Sequence, residues 1–367
     1  MNLVALLFLA AFGPAALAAK EKGIVKSRFT LGWGRRASAL DLEKRASPAR
    51  NRQAWKQFRL KHGRKFVNSS EEELRSRIFE ESEQFVKEHN ERYEAGEETY
   101  FLAVNEYADW TQEEYRKITP LISQETVDEL HSGGEVFNAS THPLTRSKRS
   151  PQSIDWRTWG AVNPVKDQGG CGSCYTFAAV AALESAFFRK YKRMLDLSEQ
   201  QLVDCTSSYG NGGCSGGWMH NCYKYIQENG GISLQQTYRY EAKVGDCRHN
   251  RADAVCRISR YVIIPRNDEN ALKEAVGNIG PVAVAYDAST REHMMYRGGI
   301  YHSPNCDPNR TTHAVAVIGY GSENGVDFWI LKNSWGATWG ENGFFRMRRN
   351  TGNQCGIVTM SSYPIVE

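Results

Sequence analysis

Gln168-Gly169-Gly170-Cys171-Gly172-Ser173-Cys174 is the stretch from which the rest of the chain is read. Behind it runs CYTFAAVAALESAFFRKYKR, rich in Ala, Leu, Phe and Glu with no Gly or Pro, which predicts a helix with Cys174 at its N-terminus. Unpaired backbone N–H groups and the positive end of the helix dipole stabilise an anion there, favouring thiolate over thiol. The glycines ahead of Cys174 let the backbone approach a bound molecule closely. A nucleophilic cysteine also needs a base, and a group that orients the base. His313 follows 139 residues later in THAVAVIGYG, at the start of a predicted buried strand from Ala314 to Ile318. Asn333 lies 159 residues after Cys174, between the apolar run Phe328 to Leu331 and a loop rich in Gly and Trp. Its amide can accept the imidazole N–H, with Trp335 shielding that bond from water. The Gln168 amide and the backbone N–H of Cys174, aimed at one point, can hold the negative oxygen of a tetrahedral intermediate.

Four motifs occur in order: QGGCGSC from Gln168, GCSGG from Gly213 to Gly217, HAV from His313, and KNSWG from Lys332 to Gly336. Cys171 to Tyr175 also fits the Cys-Gly-[Ser/Ala]-Cys-[Trp/Tyr] pattern around papain-like nucleophiles. The chain resembles the papain family of cysteine proteases, and within it the cathepsin L group. That resemblance implies an α+β, two-lobe papain-like fold, with a helical left lobe, an antiparallel β-barrel-like right lobe and a helical N-terminal propeptide. It implies hydrolysis of protein and peptide substrates through a thioester on Cys174. Gln168 would stabilise the oxyanion, His313 would protonate the leaving amine and then activate water, and Asn333 would hold the imidazole. No cofactor is expected. Nor is a metal, because no second Cys-x-x-Cys or close His pair accompanies CGSC.

The residue pattern agrees with two unlike halves. From Cys174 to about Asn250 the chain reads as helix-rich, with a short helix in Leu197 to Cys205 capped at Ser198. From Tyr261 the runs VIIP, PVAVAY, HAVAVIGYG and DFWILKN alternate with Gly and Asn turns, predicting antiparallel sheet. Cys174 and His313 would therefore meet in a cleft between halves. By resemblance, Gly216 and Gly217 pair with an extended peptide, while Trp218, Met219, Ala285, Ala314 and Met360 line the main side-chain pocket, S2. Trp335 borders the site. The lining is apolar, with no carboxylate at Met360, so Leu, Val or Phe is expected at P2 and a desolvated Arg is not. The plainer reading of Trp218 and Met219 is simple core. Two positions depart from the family pattern. Tyr175 stands where Trp is usual, and Thr312 replaces an Asp or Asn, removing a negative charge beside His313.

Towards the N-terminus, Met1 to Ala18 has an apolar run ending in Ala16-Leu17-Ala18 and reads as a secretory signal. Residues 19–149 are expected to form the propeptide, with an inhibitor domain at about 52–115, and 150–367 the peptidase domain. Ala19 to Arg52 reads as a basic, flexible arm. In the helix predicted over Glu71 to Tyr93, Glu71, Arg75, Phe79, Ser82, Val86 and Asn90 share one face. They resemble the ERFNIN motif, with Ser82 and Val86 in place of its Asn and Ile. Asn105, Tyr107 and Asp109 resemble the motif that follows it. Family precedent takes about Gln124 to Ser147 through the cleft. Arg146-Ser147-Lys148-Arg149 is an exposed-looking basic run, and cleavage after Arg149 is expected.

All nine cysteines lie between Cys171 and Cys355. The resemblance implies pairing of Cys171 with Cys214, Cys205 with Cys247, and Cys306 with Cys355. Cys222 and Cys256 are left as buried thiols or a fourth bridge. Asn68, Asn138 and Asn309 head glycosylation sequons. The net charge of +4 is small and evenly divided, which indicates no basic patch for nucleic acid, and no later segment is long and apolar enough to span a membrane. Expected partners are substrates, the chain's own propeptide as inhibitor, and cystatin-type inhibitors. A monomer in the secretory pathway, lysosomal or extracellular, is expected. Two other classes compete: a catalytically silent homologue, and acyl transfer to an amine. Retention of Gln168, Cys174, His313 and Asn333 disfavours the first, and Asn333 in place of an Asp disfavours the second.

Overall fold

The computed structural model describes residues 48–120, 134–140 and 150–367. The expected signal segment, most of the basic arm and Arg149 lie outside those residues. The first elements are α1 (Pro48–Lys61), α2 (Ser69–Glu94), β1 (Tyr100–Leu102) and α3 (Gln112–Ile118). The start of α1 at Pro48 corrects the reading of Ala19 to Arg52 as arm throughout. Trp55 and Phe58 bury against Phe79 of α2, at ring separations of 5.4 and 4.7 Å, and this anchorage draws the preceding turn into the helix. Asn68 caps α2 by accepting from the Glu71 N–H at 2.9 Å. The predicted α2 face holds the chain that follows it. Ser82 Oγ donates to Ala108 O at 2.7 Å, Asn90 Nδ2 to Leu102 O at 2.9 Å, and Arg75 Nη1 to Asp109 O at 2.9 Å.

Next come β2 (Glu135–Val136), β3 (Ile154–Asp155), α4 (Cys174–Tyr191), α5 (Glu199–Cys205), α6 (Met219–Glu228), β4 (Ile232–Ser233) and β5 (Ala254–Cys256). The remainder is β6 (Ile258–Ile263), α7 (Glu269–Asn278), β7 (Val282–Tyr286), α8 (Arg291–Met294), β8 (Tyr296–Tyr301), β9 (His313–Glu323), β10 (Val326–Lys332), β11 (Phe344–Arg348) and β12 (Met360–Val366). The main sheet runs β1-β8-β11-β10-β9-β7-β12-β6-β2, with β3 added to β9. It is antiparallel except where β11 meets β8 and β2 meets β6. The purely antiparallel expectation misses these two pairs because both join strands distant in sequence, where no hairpin signal operates.

Helix α4 is buried from Cys174 to Ser185, and packs on β9, β12 and β7. A helix apolar on nearly every side belongs inside a core, and α4 lies between two. One core joins it to α5 and α6 through Leu183, Leu202, Met219 and Tyr223. The other fills the sheet half with Val284, Val317, Trp329, Leu331 and Phe345. Residues N-terminal to Ser150 supply both ends of the sheet: β1 pairs with β8, and β2 with β6. Without them β8 and β6 would be open edges.

Disulfides join Cys171 to Cys214, Cys205 to Cys247, and Cys306 to Cys355. Cys174, Cys222 and Cys256 are unbridged and buried. Alkylation of the denatured, unreduced protein, followed by mass measurement, should therefore add three groups. After reduction it should add nine; a single added group before reduction would mean that Cys222 and Cys256 are joined.

Candidate active site

Helix α4 begins without the usual cap. Ser173 occupies the N-cap position, yet its side chain makes no capping bond, and Cys174 follows as the first helical residue and is buried. The Cys174 sulfur lies beside the backbone N–H of Ala314, the residue after His313. His313 opens β9 and is paired in register with Tyr286 of β7. Asn333 directly follows β10, and its Oδ1 is 2.8 Å from His313 Nε2. The same Oδ1 accepts the Ser334 N–H at 2.8 Å, so the amide oxygen faces the ring and Nε2 is the donor. Nδ1 then carries the lone pair, and it has no hydrogen-bond partner among the described residues. Trp335 lies against the imidazole with ring centroids 4.7 Å apart, and both are buried. An imidazole so held can take a proton at Nδ1 and return it, which is the chemistry a thiol nucleophile requires.

Gln168 is completely buried and fixed from several sides. Its backbone N–H donates to Ser334 O at 2.8 Å, and its Oε1 accepts from Ser334 Oγ at 2.7 Å. Its Nε2 donates to Cys171 O at 2.9 Å and to Ile118 O at 3.1 Å. The donor suited to an oxyanion is thus spent on a backbone carbonyl of the N-terminal segment. A Cβ at Gly172 would lie 2.5 Å from Cys214 O and 2.8 Å from Lys117 O, so close approach of that segment depends on glycine here. Most of the segment expected in the cleft, about Gln124 to Ser147, lies outside the described residues. Lys117 to Pro120 already reach the nucleophile loop because α3 is anchored just upstream, while the described residues 134–140 run beside β6.

The anchors of α3 are aromatic and polar. Tyr115 and Tyr107 meet Trp335 edge-on at 5.7 and 5.6 Å, and Tyr115 Oη donates to Ala288 O at 2.7 Å. Asn105 Nδ2 donates to Met294 O at 2.8 Å. Aromatic pairs of this kind contribute about 0.5–1.5 kcal/mol each beyond area burial.

Strand register assembles the pocket positions. Ala314, Ala285 and Met360 form one row across β9, β7 and β12. Trp218 and Met219 belong to the same buried cluster, which also contains Cys174. Gly216 adopts φ 105°, which favours glycine. A Cβ at Gly217 would lie 2.5 Å from Asn211 Oδ1, which accepts the Trp218 N–H at 2.7 Å.

Burial sets the charge state. With the N-terminal segment in place, desolvation pushes the Cys174 thiol up to about 11 and the His313 imidazole down to about 4, so both are uncharged across most of the pH range. The position before His313 is also less bare than Thr312 suggests. Asp287, fully buried, approaches Thr312 Oγ1 at 3.4 Å and pairs with Arg310 at 2.7 Å, so a carboxylate comes from β7's end instead. Sequence reasoning passed over Asp287, Ser334 and Tyr240. Only Ser334 lies inside a motif, and nothing in KNSWG shows that its hydroxyl turns to Gln168.

Residues 150–365 match the family described as papain family cysteine protease, and residues 55–115 the cathepsin propeptide inhibitor domain. The chain belongs to the papain family. Cathepsin L of Sarcophaga peregrina is 42% identical over 316 residues, covering 86% of this chain and 93% of that one. Procathepsin L of Mus musculus is 39% identical, covering 85% and 91%. Among solved structures, digestive procathepsin L2 proteinase from Tenebrio molitor larval midgut superposes with a TM-score of 0.81 at 41% identity, covering 86% of this chain and 99% of that one. This papain-family member is therefore a cathepsin L-like cysteine protease made as a precursor, with an inhibitor domain in its prosegment.

Proposed function

We propose that Cys174 is the nucleophile of a cysteine endopeptidase, with His313 as its acid and base, Asn333 as the group that orients His313, and Gln168 with the Cys174 N–H as oxyanion donors. The observation that carries this reading is the imidazole's arrangement: Nε2 committed to Asn333 at 2.8 Å under Trp335, Nδ1 without a hydrogen-bond partner among the described residues, and the Cys174 sulfur beside the N–H of the next residue, Ala314. The thiolate attacks the scissile carbonyl carbon, and the oxygen's growing charge falls to the Gln168 and Cys174 donors. The imidazolium then protonates the departing amine. Water, deprotonated by neutral His313, attacks the thioester and frees the acid and the thiol.

Specificity follows from the row Ala314, Ala285 and Met360, closed by Trp218 and Met219. It offers an apolar S2 for Leu, Val or Phe at P2, with Gly216 and Gly217 available to an extended substrate. The domain boundaries proposed are a signal at 1–18, a prosegment at 19–149 and the peptidase at 150–367. Cleavage after Arg149 is supported by the basic run and by the first peptidase residue, Ser150, whose Oγ donates to Glu274 Oε1 at 2.7 Å. Secretory targeting to a lysosomal or extracellular site, action as a monomer, and binding of cystatin-type inhibitors complete the reading. Among the described residues no helix is long and apolar enough to cross a membrane. The sequon residues Asn68, Asn138 and Asn309 are exposed, and Asn309 sits beside Asp268 and Asn353 rather than in the pocket row.

The test is hydrolysis of fluorogenic dipeptide amides by the processed protein under reducing conditions. Cys174→Ala should abolish activity, and Gln168→Ala should lower kcat by about 10²- to 10³-fold. Leu or Phe at P2 should be preferred. Dominance of Arg at P2 would overturn the pocket assignment, and full activity of Cys174→Ala the nucleophile.

A further inference from the structure

We infer that Tyr240 is a positioning residue for the oxyanion site, a role that rests on the proposed part played by Gln168 and Cys174. Its hydroxyl lies between the two segments that carry the oxyanion donors. Tyr240 Oη donates to the backbone carbonyl of Gln168 at 2.8 Å. Its one proton being used there, it accepts from Ser173 Oγ at 2.6 Å. Ser173 is the residue immediately before Cys174. A chain of two bonds therefore runs from the start of the nucleophile's helix to the main chain of the glutamine.

The uncapped start of α4 supports this reading independently. A serine at an N-cap position ordinarily accepts from a backbone N–H in the first turn, stabilising the helix by about 1 kcal/mol. Ser173 makes no such bond and gives its hydroxyl to Tyr240 instead. Two consequences follow. The N–H groups of Cys174 and Tyr175 are left to face the sulfur while that of Thr176 turns to the Ser173 carbonyl at 2.9 Å, and the position of Cys174 is tied to that of Gln168 by side chains rather than by the helix alone. Ser334 holds the other side of Gln168 through its hydroxyl and its carbonyl, so Tyr240 completes a clamp. The ring itself is steadied by edge-on contact with Phe177 of α4, at 5.0 Å. Burial raises the phenol to about 12, which keeps its proton in place throughout any working range of the enzyme.

Oxyanion stabilisation depends on donors already standing where the charge develops, and misplacement by a fraction of an ångström weakens it. Loss of the hydroxyl should therefore reduce transition-state binding while leaving ground-state binding and thiolate chemistry alone. The experiment compares processed wild-type enzyme with Tyr240→Phe, which retains the ring and its contact with Phe177, and with Ser173→Ala, which retains the bond from Tyr240 to Gln168. Concentrations are set by titration with an epoxysuccinyl inhibitor. Tyr240→Phe should lower kcat about tenfold with KM unchanged. It should weaken binding of a peptide aldehyde, whose adduct carries an oxyanion, by a similar factor. Alkylation by iodoacetamide, which builds no oxyanion, should keep its rate and pH profile. Ser173→Ala should show the same pattern at smaller amplitude. Unchanged kcat and aldehyde affinity in both variants would overturn the assignment, as would an alkylation rate that falls in parallel with kcat. Gln168→Ala is measured alongside. Normal aldehyde affinity in that variant would remove the oxyanion reading of Gln168, and the role of Tyr240 with it.

Discussion

The site depends on a single constraint, that α4 must lie inside the protein with its N-terminal end at the seam of two cores. Ala178, Ala179 and Ala182 bring the helix close to the sheet, and the apolar residues around them bury it on nearly every side. Once the helix axis is fixed, Cys174 has one place to be. Its sulfur lies beside the N–H of Ala314, and the register of β7 with β9 fixes His313 one residue before. The proposed catalytic pair is thus positioned by regular structure rather than by flexible loops, which is the arrangement that keeps reacting groups within tolerance. The neighbours of the pair are set in the same way. Asn333 leaves the end of β10, and Ala285 and Met360 extend the row that begins at Ala314.

The prosegment makes use of this rigidity. It adds a strand at each end of the sheet, lays Tyr107 and Tyr115 on Trp335, and places the Ile118 carbonyl on Gln168. Each backbone or aromatic partner it chooses is one that the peptidase already holds in place, so little ordering is required of the mature half when the cover binds. Arg291, half-buried against the α2 face, adds a contact by bonding Ser82 Oγ at 3.0 Å and lying over Phe85.

Much of this was legible in the sequence because the signals were local. Gln168 to Cys174 announces a nucleophile by residue type and by the helix-forming run behind it, and the apolar runs around His313 and Asn333 announce strands. The three-and-four spacing on α2 likewise marks its buried face. What was not legible depends on pairings between residues far apart. No local pattern tells that β11 will lie parallel to β8, that Asp287 will stand near the residue before His313, or that a tyrosine 66 residues beyond Cys174 will take the hydroxyl of Ser173. The docking of α3 has the same origin: it is decided by Tyr115 finding Trp335 and Ala288, contacts that span more than 170 residues.

In the proposed mechanism inhibition and catalysis draw on the same atoms. Trp335 must cover the His313–Asn333 bond for the base to work, and it is also the platform for Tyr107 and Tyr115. Gln168, as proposed, presents Nε2 to a developing oxyanion, and in the precursor that nitrogen serves Ile118. A substitution in the peptidase that loosened the cover at either point would therefore damage the reaction it released. Control of the enzyme is left to the prosegment side of the interface, where residues are free to change, and to the solvent, because exclusion of water holds the Cys174 thiol and His313 in their uncharged forms. Removing the cover does more than clear a path. It returns to the site the polar surroundings in which a thiolate beside an imidazolium can exist.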